Sequence, residues 1–362
     1  SAASDVYKRQ VTYTSEYGQV EYDNTAPQYQ TLGILNTTHM NEGDDINYVR
    51  DGDNVRVLIW FKEKLAVEPK IAIKTNAEAN NGYVELEGDN AFKYSNDGRE
   101  NVHYYVANFT VTPEMNLPQG QIQFKIYGYA DAAGNTGVEL TEKNINRTDY
   151  AQAIYDTIAP ARVYSTVRLS QDKEDNPYIG EDENKYYYVK NGEEFEFAMM
   201  FTEELEQAPT VTIAGRNVEM TLNEKVKKEE SKYLYEGTLT IPAEETGLAE
   251  ETLEIKVSNI VDFAGNVMED TIQTPTSNGR IVVYDRTKPV FTNVENGTTY
   301  GREVTPSIEE TNLDKAVITR PNGVTEAYKI DADGKGEAVS ANGEYTITVT
   351  DRAGNSETVK FT

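Results

Sequence analysis

The chain has 362 residues, no cysteine and a formal net charge of -27, with 26% of its residues charged. That length allows two or three separate cores, and the missing cysteine excludes disulfides, thiolate nucleophiles and thiolate zinc sites together. An acidic field of this size repels nucleic acid and anionic membrane surfaces while attracting cations, and no apolar run reaches membrane-spanning length.

Residues 1–10, SAASDVYKRQ, look like translated sequencing-adapter read-through and are set aside from the fold. Residues 11–23 alternate weakly and run into a Y-D-x-x-x-P motif, as expected of the last strand or hairpin of a preceding domain. That motif occurs three times, at 22–27, 155–160 and 284–289, and a second motif, D-x-A-G-N, also occurs three times, at 131–135, 262–266 and 351–355. The two alternate along the chain, which predicts an array of one repeated unit with boundaries at 24–156, 157–285 and 286–362.

The first two units are close relatives. Residues 48–73 lie without a gap over 188–213, with eight of 26 positions identical. Each copy predicts a turn at Gly52 or Gly192, a strand through Phe61 or Phe201, an acidic F-x-E-x-L loop and a strand ending at Ile73 or Ile213. Alternation is expected to turn one of Trp60 and Phe61, and one of Met200 and Phe201, into the core. No sustained 3.6-residue period is present, so the fold class is all-β, with short helical turns expected only at 113–115 and 243–246.

The third unit is shorter: 66 residues separate Asp285 from Asp351, against 108 from Asp23 to Asp131 and 106 from Asp156 to Asp262. The extra length of the longer units falls in polar stretches such as 77–101 and 171–184, read as surface loops or protruding hairpins. At the end of the chain Tyr345, Ile347 and Val349 alternate with polar residues before a Gly-Asn reversal, and the alternation resumes at Val359 and Phe361, predicting a hairpin with one buried face.

Catalytic chemistry finds little support. His39 and His103 stand in dissimilar contexts, outside any H-E-x-x-H or G-x-S-x-G pattern, and no Gly-rich loop opens a helix. The expectation is a protein that is not an enzyme. Consecutive tyrosines (Tyr186, Tyr187 and Tyr188; Tyr104 and Tyr105) must place some rings outward, either as a sugar-stacking or protein-binding patch or simply as strand residues that tolerate water. The sequons at Asn36, Asn108 and Asn296 are read as chance occurrences.

On these motifs the chain resembles the bacterial immunoglobulin-like domains strung in tandem along surface and secreted proteins, over about residues 24–362. The resemblance rests on the D-x-x-x-P linker, the F-x-E-x-L loop (Phe61 to Leu65, Phe201 to Leu205) and the closing D-x-A-G-N hairpin; the third unit departs at the second motif, with Ile308, Glu309, Glu310 and Leu313 in its place. It implies tandem Greek-key β-sandwiches joined end to end, and a structural or adhesive role as stalk or spacer at the bacterial surface or outside the cell. Partners would be neighbouring domains of the same chain and a host or cell-wall protein or glycan. Two alternatives stand beside it: carbohydrate-binding modules accompanying an extracellular polysaccharide-degrading enzyme, and an adhesin stiffened by calcium.

In that sandwich order the hairpin, the acidic loop and the incoming linker share one pole. Three carboxylate sets would then meet at the junctions: Asp23, Glu63 and Asp131; Asp156, Glu203 and Asp262; Asp285, Glu309 and Asp351. Hard cations such as Ca2+ prefer such oxygen clusters. The competing reading is that each aspartate caps a turn through its own backbone while proline fixes the linker. Residues 172–183 place oxygens at calcium-loop positions, but Pro177 stands where that loop requires glycine.

Overall fold

The structure is a computed structural model describing residues 11–15, 18–39, 46–95, 98, 102–147, 151–169, 176–230 and 232–362. The read-through segment 1–10 and part of the calcium-loop-like stretch, 172–175, lie outside the described residues. The chain forms two compact units, Ser1–Ala159 with Phe263–Asn266, and Pro160–Asp262 with Val267–Thr362. Nearly all regular structure is strand, and no helix among the described residues is long and apolar enough to cross a membrane.

In the first unit the strand Asn54–Phe61 lies between Tyr29–Asn36 and His103–Thr110, all antiparallel. Its alternation is strict: Val55, Val57, Ile59 and Phe61 are all fully buried. They pair across the ladder with Phe109, Ala107, Tyr105 and His103, so three of the four buried residues face another buried one. The chain then crosses to a second sheet, where Ile71 and Ile73 of Lys70–Lys74 oppose Ile126 and Phe124. Inner faces of both sheets belong to a single apolar cluster, which makes the body a sandwich. The strand Gln152–Tyr155 runs parallel to Ile46–Val49 and brings the chain back to the linker.

The described part of the stretch 77–101 does more than protrude. Tyr83–Glu85 extends one sheet and Lys93–Ser95 the other, and between them Leu86 and Phe92 are buried in the cluster. These two apolar residues anchor a stretch whose polar composition hides its role. Asn36, read as a chance sequon, is fully buried: its amide donates to Asp53 Oδ2 at 2.9 Å and to the Tyr48 carbonyl at 2.8 Å.

The second unit holds two large apolar clusters, one spanning Val167 to Tyr284 and one spanning Val294 to Phe361, and a small third one on the outer face of the first. In the strand Glu194–Phe201 the residues Phe195, Phe197, Met199 and Phe201 face the larger cluster. Met200 faces the other way and is also buried, with Ala198, Leu234, Tyr164 and Val226. Trp60, at the matching place in the first unit, is only half-buried beside a fully buried Phe61.

The difference comes from a helix at Glu224–Glu230 whose Val226 lies over Met200. Helical turns were expected only at 113–115 and 243–246. The first is present as Pro113–Met115, whereas 243–246 forms only a turn closed by the Glu245 amide on the Pro242 carbonyl. Seven residues are too few to display an amphipathic period. The usable signal was Asn223, whose Oδ1 accepts the Val226 amide as an N-cap does, followed by Glu224 in the first turn.

The closing hairpin follows its alternation. Tyr345–Asp351 pairs with Ser356–Phe361, placing Tyr345 opposite Phe361 and Ile347 opposite Val359, all buried.

Candidate functional site

The D-x-A-G-N turn is built the same way in its described copies. Its glycine is left-handed each time, with φ of +87° at Gly134, +79° at Gly265 and +84° at Gly354, a conformation that Cβ-bearing residues adopt only at a cost. In the first copy Asp131 Oδ1 accepts the amides of Ala133 and Asn135, both at 2.9 Å. In the last, Asp351 Oδ1 accepts the Asn355 amide at 2.8 Å. Asp131 and Asp351 therefore cap their turns, as the competing reading required.

The asparagine explains why the two motifs alternate. Its side-chain amide donates to the backbone carbonyl of the linker aspartate: Asn135 to Asp23, Asn266 to Asp156 and Asn355 to Asp285, each at 3.1 Å. The linker aspartate in turn caps its own segment, with Oδ1 accepting the amide two residues on at Thr25, Ile158 or Thr287. Hairpin and linker are thus mutually specified by one hydrogen bond spanning 112, 110 and 70 residues.

The F-x-E-x-L loop reaches the same pole in the first unit. Phe61 and Leu65 are buried on either side of Glu63, and the Tyr105 hydroxyl accepts the Leu65 amide at 3.0 Å. Tyr235 does the same for Leu205 in the second unit, also at 3.0 Å. These two tyrosines position the acidic loop from the strand that pairs with the F-x-E-bearing strand; the sequence singled out Tyr105 only as one of a consecutive pair, and Tyr235 not at all.

Carboxylate oxygens of Asp23, Glu63 and Asp131 lie within 4.8 Å of one another, and so do those of Asp285, Glu310 and Asp351. In the third set the structure substitutes Glu310 for the expected Glu309. Ile308 is buried in the place Phe61 occupies, so the residue two positions on stands where Glu63 does; Glu309 is exposed and pairs with Val290 in a short ladder. Of the remaining set, Asp156 belongs to the first unit, and Glu203 and the buried Asp262 to the second.

Crowding leaves an electrostatic signature. Glu63 is pushed up from the ordinary glutamate value by burial, then by the nearby Asp131 and Asp23. Glu310 is raised by burial against the opposing Asn312 amide, with Asp285 and Asp351 adding to the rise. Asp351 is raised by burial despite its bonds to Asn355. Hydrogen bonds from asparagine relieve part of this: Asn135 Nδ2 reaches Asp131 Oδ2 at 2.9 Å, and Asn312 Nδ2 reaches Asp285 Oδ2 at 2.9 Å.

Elsewhere polar groups do structural work. His39 lies 3.0 Å from the buried Asp53, and His103 Nδ1 lies 2.8 Å from the Tyr94 hydroxyl. The hydroxyls of Tyr129, Tyr328 and Tyr155 donate to Val138, Glu337 and Asp51.

No family model matches the chain. Over 77 residues it is 36% identical to the outer cell wall protein of Brevibacillus brevis, a stretch covering 21% of this chain and 7% of that protein. The chain thus spans a small fraction of the length of that relative. Among solved structures it is similar to the I-band fragment I67–I69 of titin, with 12% identity, a TM-score of 0.38, and coverage of 94% of this chain and 98% of that one. The E-to-A variant of the same three-immunoglobulin fragment gives 12% identity, a TM-score of 0.37 and coverage of 93% and 97%.

Proposed function

We propose that the chain is a structural surface segment, a spacer built from immunoglobulin-like sandwiches in a bacterial surface or secreted protein, with no reaction of its own. The observation that carries this reading is the hairpin-to-linker bond made three times at 3.1 Å. A device that ties each linker to a hairpin serves a chain whose task is to transmit position along its length. Similarity to part of an outer cell wall protein supports a location at the cell surface. Single-molecule pulling on the whole chain tests it: three separate unfolding events, one for each large apolar cluster, are expected. Featureless extension would overturn the reading.

A second reading adds calcium. What favours it is the pair of three-oxygen clusters, made only of hard donors and recurring in both units. Asp23, Glu63 and Asp131, and likewise Asp285, Glu310 and Asp351, would hold the ion, with water completing the shell. Bound there, Ca2+ would compensate the burial and offset the repulsion that together raise Glu63 and Glu310. Binding confined to the folded state stabilises it by about 2.7 kcal/mol at a hundredfold excess over Kd, so the melting midpoint in CaCl2 should exceed that in EDTA. An equal midpoint in both sinks the calcium reading and leaves the spacer reading intact.

A further inference from the structure

The linker at 285–289 is held from both sides within the second unit. Asp285 donates its amide to the Val189 carbonyl at 2.9 Å, while Asn355 reaches its carbonyl and Asn312 its carboxylate. Arg286 bonds Glu250 at 3.2 Å and the Glu245 carbonyl at 2.9 Å, and Thr287 bonds Glu250 at 2.6 Å. Beside this linker a groove of about 360 Å³ is lined by Tyr178, Tyr186, Tyr188, Leu313, Asp314 and Arg352, among others. Arg352 is the variable x of the last D-x-A-G-N. Its guanidinium sits 3.6 Å from the centre of the Tyr178 ring and 5.6 Å from that of Tyr188, with Nη1 at 3.4 Å from the Tyr188 hydroxyl. Lys190 Nζ donates to the carbonyl of Gly354, the glycine of the same hairpin, at 2.6 Å.

The first unit contains the same pair of contacts at aligned positions. Tyr48, aligned with Tyr188, stacks on Phe263 at 5.4 Å and 18°. Arg50, aligned with Lys190, donates Nη1 to the Gly265 carbonyl at 2.8 Å. Phe263 and Gly265 occupy the x and glycine positions of their own D-x-A-G-N. Twice, then, a Tyr-Val-basic strand end receives a D-x-A-G-N hairpin. The aromatic ring meets a planar side chain at x, and the cation meets a carbonyl that the left-handed glycine turns outward. Partners at x differ: the phenyl of Phe263 stacks on its tyrosine, and the guanidinium carbon of Arg352 lies within cation–π reach of Tyr178 and Tyr188.

We propose that Tyr178, Tyr188 and Lys190 form a socket that recognises the D-x-A-G-N hairpin of the following core by a flat side chain at x and a free glycine carbonyl, and so holds the second and third cores in one fixed orientation. The partner such a strand end fits is another module carrying that hairpin. The proposal deepens the spacer reading and rests on it for its purpose: a stiff joint is what a projecting segment needs. The chain contains no cysteine, so two can be introduced cleanly.

The test places spin labels at Lys256→Cys and Lys360→Cys, both exposed and one on each core, in the whole chain, and measures their distance distribution by electron–electron double resonance. A single narrow distribution is expected. Lys190→Ala combined with Arg352→Ala should broaden it, and Arg352→Phe, which copies the Phe263 arrangement, should keep it narrow in the Lys190-containing chain. A broad distribution in the parent, an equally narrow one in the double alanine variant, or failure of Arg352→Phe where Arg352→Lys succeeds would each overturn the socket. Neither Lys190 nor Arg352 belongs to either apolar cluster, and unchanged circular dichroism checks that the cores persist. Should the double variant lose structure, Tyr178→Ala, on an exposed two-residue strand, gives the same reading of the ring contact. A loose joint with three intact unfolding events rejects the socket alone, whereas loss of those events rejects the spacer reading itself.

Discussion

Between linker aspartate and closing hairpin the first core spends 108 residues and the third 66, yet both bring three carboxylates within 4.8 Å and both tie the linker carbonyl to an asparagine at 3.1 Å. What the third core gives up lies elsewhere. It lacks the F-x-E-x-L loop and the tyrosine that bonds it, and it supports its glutamate through Asn312, whose amide donates to Glu310 at 2.6 Å. The polar pole is retained while the strands around it are shortened. Such economy is expected if the pole works at a junction, because the length of the sandwich behind it is then free to vary.

The comparison can be broken at its apolar root. Phe61 and Ile308 are buried two residues before the cluster glutamate in their respective cores. Phe61→Ala should cost about 3–5 kcal/mol and Ile308→Ala about 2–5 kcal/mol in urea denaturation. A silent Ile308→Ala would show that the two positions are not equivalent. Next in size are the asparagines: Asn135→Ala and Asn355→Ala each remove the donor to a linker carbonyl and to a buried aspartate, and each should cost about 1–3 kcal/mol. Unequal losses would mean that the hairpin-to-linker bond matters in one core only.

A smaller effect separates the two regions. Tyr105→Phe leaves the Leu65 amide without its acceptor, at a cost of about 1–2 kcal/mol, and should speed hydrogen exchange at Leu65 while leaving the third core untouched. Exchange unaltered at Leu65 would count against that bond.

The smallest effects are electrostatic and test the correction from Glu309 to Glu310. Glu63→Gln and Glu310→Gln should each raise the melting midpoint at neutral pH without added calcium, because each removes a charge crowded by two others; Glu309→Gln should leave it unchanged. The pH dependence follows with a definite sign. Glu63, Glu310 and Asp351 hold protons to higher pH in the folded chain than in the unfolded one. The folded state therefore binds more protons in the interval just above the ordinary carboxylate value. The contribution of these groups to stability is fully present below that value and is lost as pH rises through the raised one. Melting curves from neutral pH down into that interval should show it in the parent chain and show less of it in the glutamine variants.

Much of the candidate site was legible because short-range pattern carries it. Alternation required one of Trp60 and Phe61, and one of Met200 and Phe201, to face inward; the structure buries Phe61 and Phe201, with Met200 also covered on the opposite face, and the strands from Tyr345 to Phe361 kept their predicted faces. Asp23, Glu63 and Asp131 were grouped by the sandwich order that the resemblance implies, and their carboxylate oxygens do lie together. Asn36 and the tyrosines at 105 and 235 were missed because a polar residue in a strand looks the same whether it meets water or a buried partner. Glu310 was missed because Glu309 is also acidic, and only the inward turn of Ile308 tells them apart.

Local order came from the amino-acid sequence alone: strand faces from the period of two and reversals from glycines that tolerate positive φ. Tertiary structure alone decided which polar groups meet. Asn135 and Asp23 are 112 residues apart, Tyr105 and Leu65 are 40 apart, and Arg352 and Tyr188 are 164 apart. Hydrogen bonds and ring contacts act over a few ångströms, so their partners are chosen by how the sheets pack rather than by anything neighbouring residues along the chain can specify.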